Sequence, residues 1–144
     1  MTLKQISVFV ENKPGKLQML TDVLAKNNVN MRALSLAETS EFGIVRIIVE
    51  NTDQTAEILK EEGFVYTVAN VLGVAIPDEP GGLHRVLSIL SEKGMNVEYM
   101  YAFLGGKETE HAYMIFRVQD AGAAVLELMS KGISCIAQES LKKI

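Results

Sequence analysis

The sequence contains little of what disulfide-bonded, metal-binding and membrane-spanning proteins need. Its 144 residues include no tryptophan, two histidines and a single cysteine, Cys135. One cysteine excludes an intramolecular disulfide framework and a cysteine-based metal site. No apolar run reaches the roughly 20 residues that span a bilayer, and no secretory signal follows Met1. We therefore expect a cytoplasmic protein that uses no cofactor or metal and does not act at a membrane.

The rest of the composition is typical of a compact folded chain. Apolar residues make up 48% of the sequence and charged residues 22%, which is more apolar and less charged than disordered chains are. The net charge of −4 disfavours nucleic acid and anionic membranes as partners, because their phosphates carry charge of the same sign. We expect no nucleic-acid partner.

The strongest pattern in the sequence is an internal repeat. The run from Phe9 to Leu17 recurs 66 positions later as the run from Ala75 to Leu83. This register, kept over the length of a helix, indicates a duplication and predicts two domains, residues 1–70 and 71–144. A unit of about 70 residues buries only a modest core, so we expect the two to pack together. The offset holds for Pro14/Pro80, Gly15/Gly81, Leu17/Leu83, Leu20/Val86, Leu24/Leu90, Val29/Met95 and Asn30/Asn96.

Hydrophobic periodicity predicts the element order β-α-β-β-α-β in each half. Alternating residues predict strands at 5–10, 31–37, 43–50, 64–68, 71–76, 97–104, 112–118 and 133–137. Helical spacing predicts four helices, whose buried stripes include Leu17/Leu20/Leu24, Ala56/Leu59 and Leu83/Val86/Leu87/Leu90. Asn51 is expected to cap the second helix, and residues 105–110 to form a hairpin loop. The order predicts an α+β fold of two tandem ferredoxin-like βαββαβ domains with antiparallel sheets.

The sequence offers little chemistry for catalysis. His84 and His111 have no partner at ligand spacing and are interpreted as surface residues, while Cys135 is interpreted as a buried, inert thiol. A small hydrolase of the acylphosphatase type would need an arginine in the first strand-to-helix loop. That loop contains only Lys13 and Lys16 as cations. We therefore expect no enzyme.

The predicted fold also serves RNA-binding domains, and one strand carries aromatic residues. Tyr99, Tyr101 and Phe103 alternate along the second strand of the second half. In RNA-binding domains the stacking aromatic residues lie on the first and third strands instead. RNA binding is therefore disfavoured.

The two strand-to-helix turns are the positions with binding chemistry. A glycine where a strand meets a helix lets the backbone approach a ligand, and the first unpaired amides of the helix favour a carboxylate or phosphate. Asn12 precedes one such turn and Asp78 the other. An aspartate repels a carboxylate but suits an ammonium group, so the two turns would not bind an amino acid in the same way. Asn, Asp, Pro and Gly are also what any turn prefers, and that purely structural interpretation stays open.

The combination of a βαββαβ unit, Asn-x-Pro-Gly-x-Leu after the first strand and an asparagine at the end of the first helix resembles the ACT domain. ACT domains are small regulatory modules that bind amino acids. The resemblance covers nearly the whole chain as two tandem copies. Its most specific part, residues 11–17 with 28–31, is similar to the serine-binding regulatory domain of 3-phosphoglycerate dehydrogenase. The dehydrogenase pattern has a histidine two residues before the loop asparagine. That position is Val10 here and Ile76 in the second copy, so the resemblance does not imply that serine is the effector.

The resemblance implies paired domains with helices on one face of the sheet and an effector at the domain interface. It places the ligand against the strand-to-helix turn of one domain and the edge strand of its neighbour. It implies a free amino acid as effector and an enzyme of amino-acid metabolism as a regulated partner. We also expect a homodimer, because isolated domains would leave an edge strand unpaired. The implied binding residues are Asn12, Lys13, Pro14, Gly15, Lys16, Leu17 and Asn30 in the first copy, and Asp78, Glu79, Pro80, Gly81, Gly82, Leu83 and Asn96 in the second.

Two functions are compatible with these sequence patterns. The first is a non-catalytic amino-acid sensor whose effector stabilises one arrangement of domains. The alternative is a structural or protein-interaction module that keeps the fold without a ligand. Binding of an amino acid discriminates between them.

Overall fold

A computed structural model describes residues 1–104 and 111–144 of the chain. The predicted hairpin loop at 105–110 lies outside the described residues. The chain divides into two compact units, Lys4–Ala69 (the first unit) and Asn70–Ile144 together with Met1–Leu3 (the second unit).

The described residues form seven strands, four α-helices and a terminal 3₁₀ helix. The strands are β1 (Leu3–Glu11), β2 (Met31–Glu38), β3 (Phe42–Val49), β4 (Val65–Pro77), β5 (Tyr99–Ala102), β6 (His111–Arg117) and β7 (Ser134–Ile136). The α-helices are α1 (Lys16–Lys26), α2 (Thr52–Glu61), α3 (Gly82–Glu92) and α4 (Ala121–Ser130), and the 3₁₀ helix covers Gln138–Lys143.

The strand order is the same in both halves of the chain. It is β2-β3-β1-β4 in the first half and β5-β6-β4-β7 in the second, with antiparallel pairing of β1 with β3 and of β4 with β6 and β7. Each order places the first strand of the repeat between its third and fourth strands, as the ferredoxin-like βαββαβ fold requires. The predicted fold class is confirmed.

Both helices of each unit pack on one face of its sheet. In the first unit the core cluster joins Leu20 and Leu24 of α1 and Leu59 of α2 to Val8 and Val45 on adjacent strands. In the second unit the cluster combines residues of α3 and α4 with strand residues, among them Val86, Leu90, Leu128, Leu72, Val74 and Phe116. The predicted faces of β1 and β3 are correct, because Ile6, Val8, Val10, Val45, Ile47 and Val49 all belong to the first cluster.

Two predicted buried leucines are instead exposed. Leu17 is 39% exposed and Leu83 is 37% exposed. Each lies in the first helical turn, where the core cluster does not reach. The buried stripes start one turn later, at Leu20 and at Val86. In α2 the buried positions are Thr52, Thr55 and Leu59, while Ala56 is only half-buried.

The predicted strands at 64–68 and 71–76 are a single strand, β4. The intervening Ala69 and Asn70 have side chains that permit an extended backbone, and neither glycine nor proline interrupts them. The Asn70 carbonyl accepts a hydrogen bond of 2.8 Å from the guanidinium of Arg117, the last residue of β6. Conversely, β5 is shorter than the predicted strand at 97–104.

The ends of the helices repeat at the level of single hydrogen bonds. The Asn51 side chain accepts from the Gln54 amide at 3.0 Å, and Asp120 accepts from the Ala123 amide at 3.0 Å, so both second helices are capped as predicted for Asn51. The first helices end on left-handed residues, Asn28 at φ 55° and Gly94 at φ 67°.

Replacing the cap of α2 should lower the stability of the chain. We expect Asn51→Ala to reduce the free energy of unfolding by about 1 kcal/mol, because the Gln54 amide loses its acceptor. Asn51→Asp keeps an acceptor oxygen and serves as the control. Urea denaturation measures both, and equal stability of Asn51→Ala and the wild type would contradict the capping role.

Candidate functional site

The two strand-to-helix turns share one backbone geometry. In the first turn the Lys13 amide donates to the Glu11 carbonyl at 2.9 Å, and the Lys16 amide donates to the Lys13 carbonyl at 3.2 Å. In the second turn the Glu79 amide donates to the Pro77 carbonyl at 2.9 Å, and the Gly82 amide donates to the Glu79 carbonyl at 3.1 Å. The duplicated sequence therefore folds into a duplicated turn.

A left-handed glycine precedes each helix. Gly15 has φ 85° and Gly81 has φ 88°, values at which a side chain would be strained. The carbonyl of each glycine accepts the first bond of the helix at 3.0 Å, from the Met19 amide in α1 and the Arg85 amide in α3. The glycine thus fixes where the helix starts and how it leaves the strand.

The first amides of these helices are open. Among the described residues, no acceptor is in place for the amides of Leu17 and Gln18, or for those of Leu83 and His84. Neither helix has a side-chain cap or an acidic residue in its first turn. This contrasts with α2 and α4, whose Asn51 and Asp120 caps occupy one amide each. The open amides and the helix dipole suit a ligand carboxylate.

The residues before the two prolines have different environments. The Asn12 side chain donates to the Thr39 carbonyl at 3.4 Å, and the Asn12 amide donates to the Glu41 carbonyl at 3.1 Å. Asn12 therefore links its turn to the β2–β3 hairpin, and none of the described residues donates a hydrogen bond to its side-chain oxygen. Asp78 is exposed, and no hydrogen bond or ion pair engages its carboxylate within residues 1–104 and 111–144.

The two turns carry opposite charge. The first contains one carboxylate, Glu11, whose oxygens lie 3.0 Å from the Lys13 ammonium and 3.9 Å from the Lys16 ammonium. The hydrogen bond from Lys13 and the positive charge of both lysines lower the pKa of Glu11 below its usual value of 4.5. The second turn contains two carboxylates, Asp78 and Glu79, and no cation. The same backbone would therefore present a carboxylate ligand with different electrostatics.

Gly82 is required by a close backbone contact that has no counterpart in the first turn. A Cβ at Gly82 would lie 2.4 Å from the Pro77 carbonyl oxygen and 2.9 Å from the Ile76 side chain. The corresponding residue in the first turn is Lys16, which carries a full side chain. The second turn is therefore tighter, and it leaves its helix without the cation that Lys16 supplies.

Asn30 and Asn96 lie at the opposite ends of their helices from the turns. Asn30 follows α1, which begins at Lys16 and ends at Lys26, and a helix of 11 residues is about 16 Å long. Asn30 instead lines a polar cavity of about 360 Å³ with Asn27, Asn51 and Gln54. Within one unit, Asn12 and Asn30 therefore do not contact the same small ligand. Asn96 is exposed beyond the C-terminal end of α3.

A second cavity, which we call the aromatic groove, lies beside the first turn. It has a volume of about 640 Å³ and is lined by Phe9, Val10, Glu11, Lys16, Met19, Phe42, Glu62, Gly63, Phe64 and Val65. The sequence alone does not reveal it, because Phe42 and Phe64 lie on separate segments from Phe9. The pairing of Glu11 with Phe42 and the start of β4 bring them together.

The other candidate residues form no catalytic site within the described ranges. Cys135 is half-buried on β7, where burial raises the pKa of its thiol and makes it a poorer nucleophile. His84 is exposed, with its ring nitrogen 3.4 Å from the Ser88 hydroxyl. No cluster of three or more His, Cys, Asp or Glu side chains that could hold a metal is found in the part of the chain that the structure describes.

The aromatic strand of the second unit does not form an open stacking surface. Tyr101 and Phe103 are each only 8% exposed. Tyr99 stacks on Tyr101 with ring centres 6.5 Å apart, and Phe103 contacts Tyr113 at 6.1 Å.

Within residues 1–104 and 111–144 no helix has the length and apolar character needed to cross a bilayer.

These features together define a pair of ferredoxin-like units, each with an uncapped helix N-terminus at a glycine turn. The family model for the ACT domain pair matches residues 1–144. The chain therefore belongs to the ACT domain pair family, as the resemblance in the sequence indicated. A comparison with curated protein sequences finds no match.

Several solved structures share this fold, at different levels of sequence identity. Protein BT0572 from Bacteroides thetaiotaomicron is 38% identical, with a TM-score of 0.91 over 100% of this chain and 98% of that one. The regulatory subunit of aspartate kinase from Thermus thermophilus is 13% identical, with a TM-score of 0.62 over 90% of this chain and 91% of that one. The corresponding subunit from Thermus flavus is 14% identical, with a TM-score of 0.61 over 90% and 92%. At these identities the two Thermus subunits share the fold.

Removing the lysine nearest to Glu11 should raise the pKa of that carboxyl. Because the folded pKa is lowered, the Glu11 interaction stabilises the protein above the unfolded pKa and is lost as the pH falls through the folded value. We expect Lys13→Gln to return the Glu11 pKa towards 4.5, whereas Lys26→Gln leaves it unchanged. An NMR titration of the side-chain carboxyl carbons measures both, and an unchanged Glu11 pKa in Lys13→Gln would contradict the contact.

The two turns should differ in their tolerance of a side chain at the first helical position. We expect Gly82→Ala to destabilise the chain by about 1–3 kcal/mol, because the added Cβ meets a backbone carbonyl that cannot move freely. Lys16→Ala at the corresponding position is the control and should change stability by less than about 0.5 kcal/mol. Thermal unfolding measures both, and equal effects would contradict the tighter second turn.

Proposed function

We propose that the chain is a non-catalytic regulatory protein that binds a free amino acid, with residues 1–70 and 71–144 as its two ACT domains. Membership in the ACT domain pair family, with the same open glycine turn in both units, carries this proposal. The uncapped amides support it, because α2 and α4 of the same chain do have caps. No catalytic step is assigned to the protein.

Two kinds of protein group would bind different parts of the amino acid. The carboxylate would be bound by the open amides of Leu17 and Gln18 or of Leu83 and His84, next to the left-handed glycine. The ammonium group would be bound by Asn12 and Asn30 in the first domain, and by Asp78, Glu79 and Asn96 in the second. Lys13 and Lys16 would favour the carboxylate, and Pro14, Pro80 and Gly82 would line the turns beside the ligand.

The position of Asn30 supports a ligand held between domains. Asn30 lies the length of α1 away from the open amides of its own unit. It would therefore reach a ligand only when supplied by a neighbouring ACT domain, as would Asn96. A homodimer provides such neighbours, and a ligand that bridges domains stabilises one of their arrangements.

The regulated partner is proposed to be an enzyme of amino-acid metabolism. Two structures with this fold are named regulatory subunits of aspartate kinase, and aspartate is itself an amino acid. An effector that favours one domain arrangement would change the affinity for such a partner by the same factor as the partner changes the affinity for the effector. We assign the protein to the cytoplasm and assign it no nucleic-acid or membrane partner.

The alternative is a protein-interaction module that keeps the fold without a ligand. One observation favours it: the Asn12 side chain and amide already bond to the β2–β3 hairpin, at Thr39 and Glu41. In that case the turn residues are explained by structure alone.

Thermal unfolding in the presence of each of the twenty amino acids tests the proposal. A ligand at a hundred times its dissociation constant adds about 2.7 kcal/mol of stability, which moves the midpoint by several degrees. We expect a selective rise that is lost in the double variant Asn12→Ala, Asp78→Ala. Asp53→Ala is the control, since it removes an exposed carboxylate on α2, away from both turns.

Two results would contradict amino-acid sensing. The first is the absence of a shift with any amino acid. The second is a shift that persists in the double variant, which would place the ligand away from both turns.

A further inference from the structure

The aromatic groove of the first unit has the size and lining of a small-molecule site. Its volume of about 640 Å³ lies within the range of roughly 300–1,000 Å³ found for ligand pockets. Four of its large apolar side chains are 37–67% exposed to solvent, a high fraction for residues of this type: Phe9, Met19, Phe42 and Val65. A contiguous exposed apolar surface of this kind marks a binding site more often than scattered apolar residues do.

The rim of the groove carries charge of both signs. Lys16 lies at the first position of α1 and Met19 one turn further, so the two share a helix face that lines the groove. Glu11 and Glu62 also line it. A ligand with an apolar body, a carboxylate near Lys16 and an ammonium group near the glutamates would complement this lining. An amino acid with a large apolar side chain has these groups.

The second unit lacks part of the apolar lining at the equivalent positions. The 66-residue offset places Ala75 at the position of Phe9 and Arg85 at that of Met19. Strand pairing places His111 opposite Pro77, as Phe42 is opposite Glu11. The Arg85 guanidinium donates to the Lys131 carbonyl at 3.0 Å and so lies across the region that is open in the first unit.

We propose that the aromatic groove is a side-chain subsite that makes the first unit selective for an amino acid with a large apolar side chain, such as leucine, methionine or phenylalanine. This inference rests on the proposed function and specifies which class of amino acid the first turn binds. The side chain lies against Phe9, Phe42 and Phe64, and the Lys16 ammonium pairs with the carboxylate. The second unit does not select this class, because Arg85 crosses the equivalent region.

The size of the expected selectivity follows from the apolar area that the groove would cover. Burying a leucine or phenylalanine side chain is worth a roughly ten- to hundredfold gain in affinity over serine or glycine. Calorimetric titration of the full chain with leucine, phenylalanine, serine and glycine measures this ratio. We expect leucine and phenylalanine to bind at least tenfold more tightly than the two small amino acids.

The variant Met19→Arg tests the groove directly. It copies the residue of the second unit, and Met19 is 56% exposed, so the fold should tolerate it. We expect it to weaken leucine binding at least tenfold, because a charged side chain replaces apolar lining. Met129→Arg on α4 is the matched control, since it makes the same change at a residue that is 44% exposed in the second unit. Phe42→His is a second groove variant for the case in which Met19→Arg does not fold.

Four results separate the outcomes. Loss of leucine binding in Met19→Arg or Phe42→His, but not in Met129→Arg, supports the subsite. Tighter binding of serine or another polar amino acid than of leucine overturns the selectivity and leaves the proposed function standing. Binding of no amino acid overturns both. The fourth result is a wild-type chain that does not bind leucine but forms a dimer, together with a Met19→Arg variant that is monomeric by analytical ultracentrifugation. It would show that the groove binds a second copy of the chain, and it would also overturn the subsite.

Discussion

The left-handed glycine between strand and helix is the constraint on which the rest of each unit depends. At Gly15 and Gly81 the backbone reverses at φ values that other residues rarely adopt. The reversal sets the start of the helix, and the start decides which residues meet the sheet. Leu20 and Leu24 of α1 are buried for this reason, while Leu17 in the first turn is not. The same turn leaves the first amides of the helix facing outward, so the fold and the candidate site have one origin.

On this shared backbone the two units have diverged in their side chains. Lys16 corresponds to Gly82, Met19 to Arg85, and the pair Glu11 and Lys13 to Pro77 and Glu79. None of these changes alters the turn hydrogen bonds, which keep their lengths within 0.1 Å between the units. In both units the backbone of the turn leaves the first helical amides open, while the side chains determine the charge and shape around them. A duplication of this kind can therefore keep its fold while its two turns come to differ.

Much of this architecture could be predicted from the sequence, and what escaped prediction depended on long-range pairing. Element order, the capping role of Asn51 and the inward face of β1 follow from local periodicity and turn chemistry. The continuity of β4 through Asn70 does not, because the strand pairs with β1 in the first half and with β6 in the second, both distant from it in the sequence. The aromatic groove depends on the register of β1 against β3, and one residue of slip would separate Phe9 and Glu11 from Phe42. The turns were identified from the sequence as candidate binding positions, whereas the contacts of Glu11 with Lys13 and Lys16 come only from the structure.

A difference in ligand class between the two units would have a consequence for regulation. If both turns bound the same amino acid equally well, the response would depend on two equivalent binding steps. If only the first unit has the apolar subsite, one effector binds selectively per chain, and the second turn, with Asp78 and Glu79, is left with a different or a purely structural role. Coupling free energies between sites are typically about 1–3 kcal/mol, which corresponds to roughly 5- to 150-fold changes in affinity. One selective site per chain would be enough to supply a change of that size, because such an effector would need only to favour one domain arrangement over another.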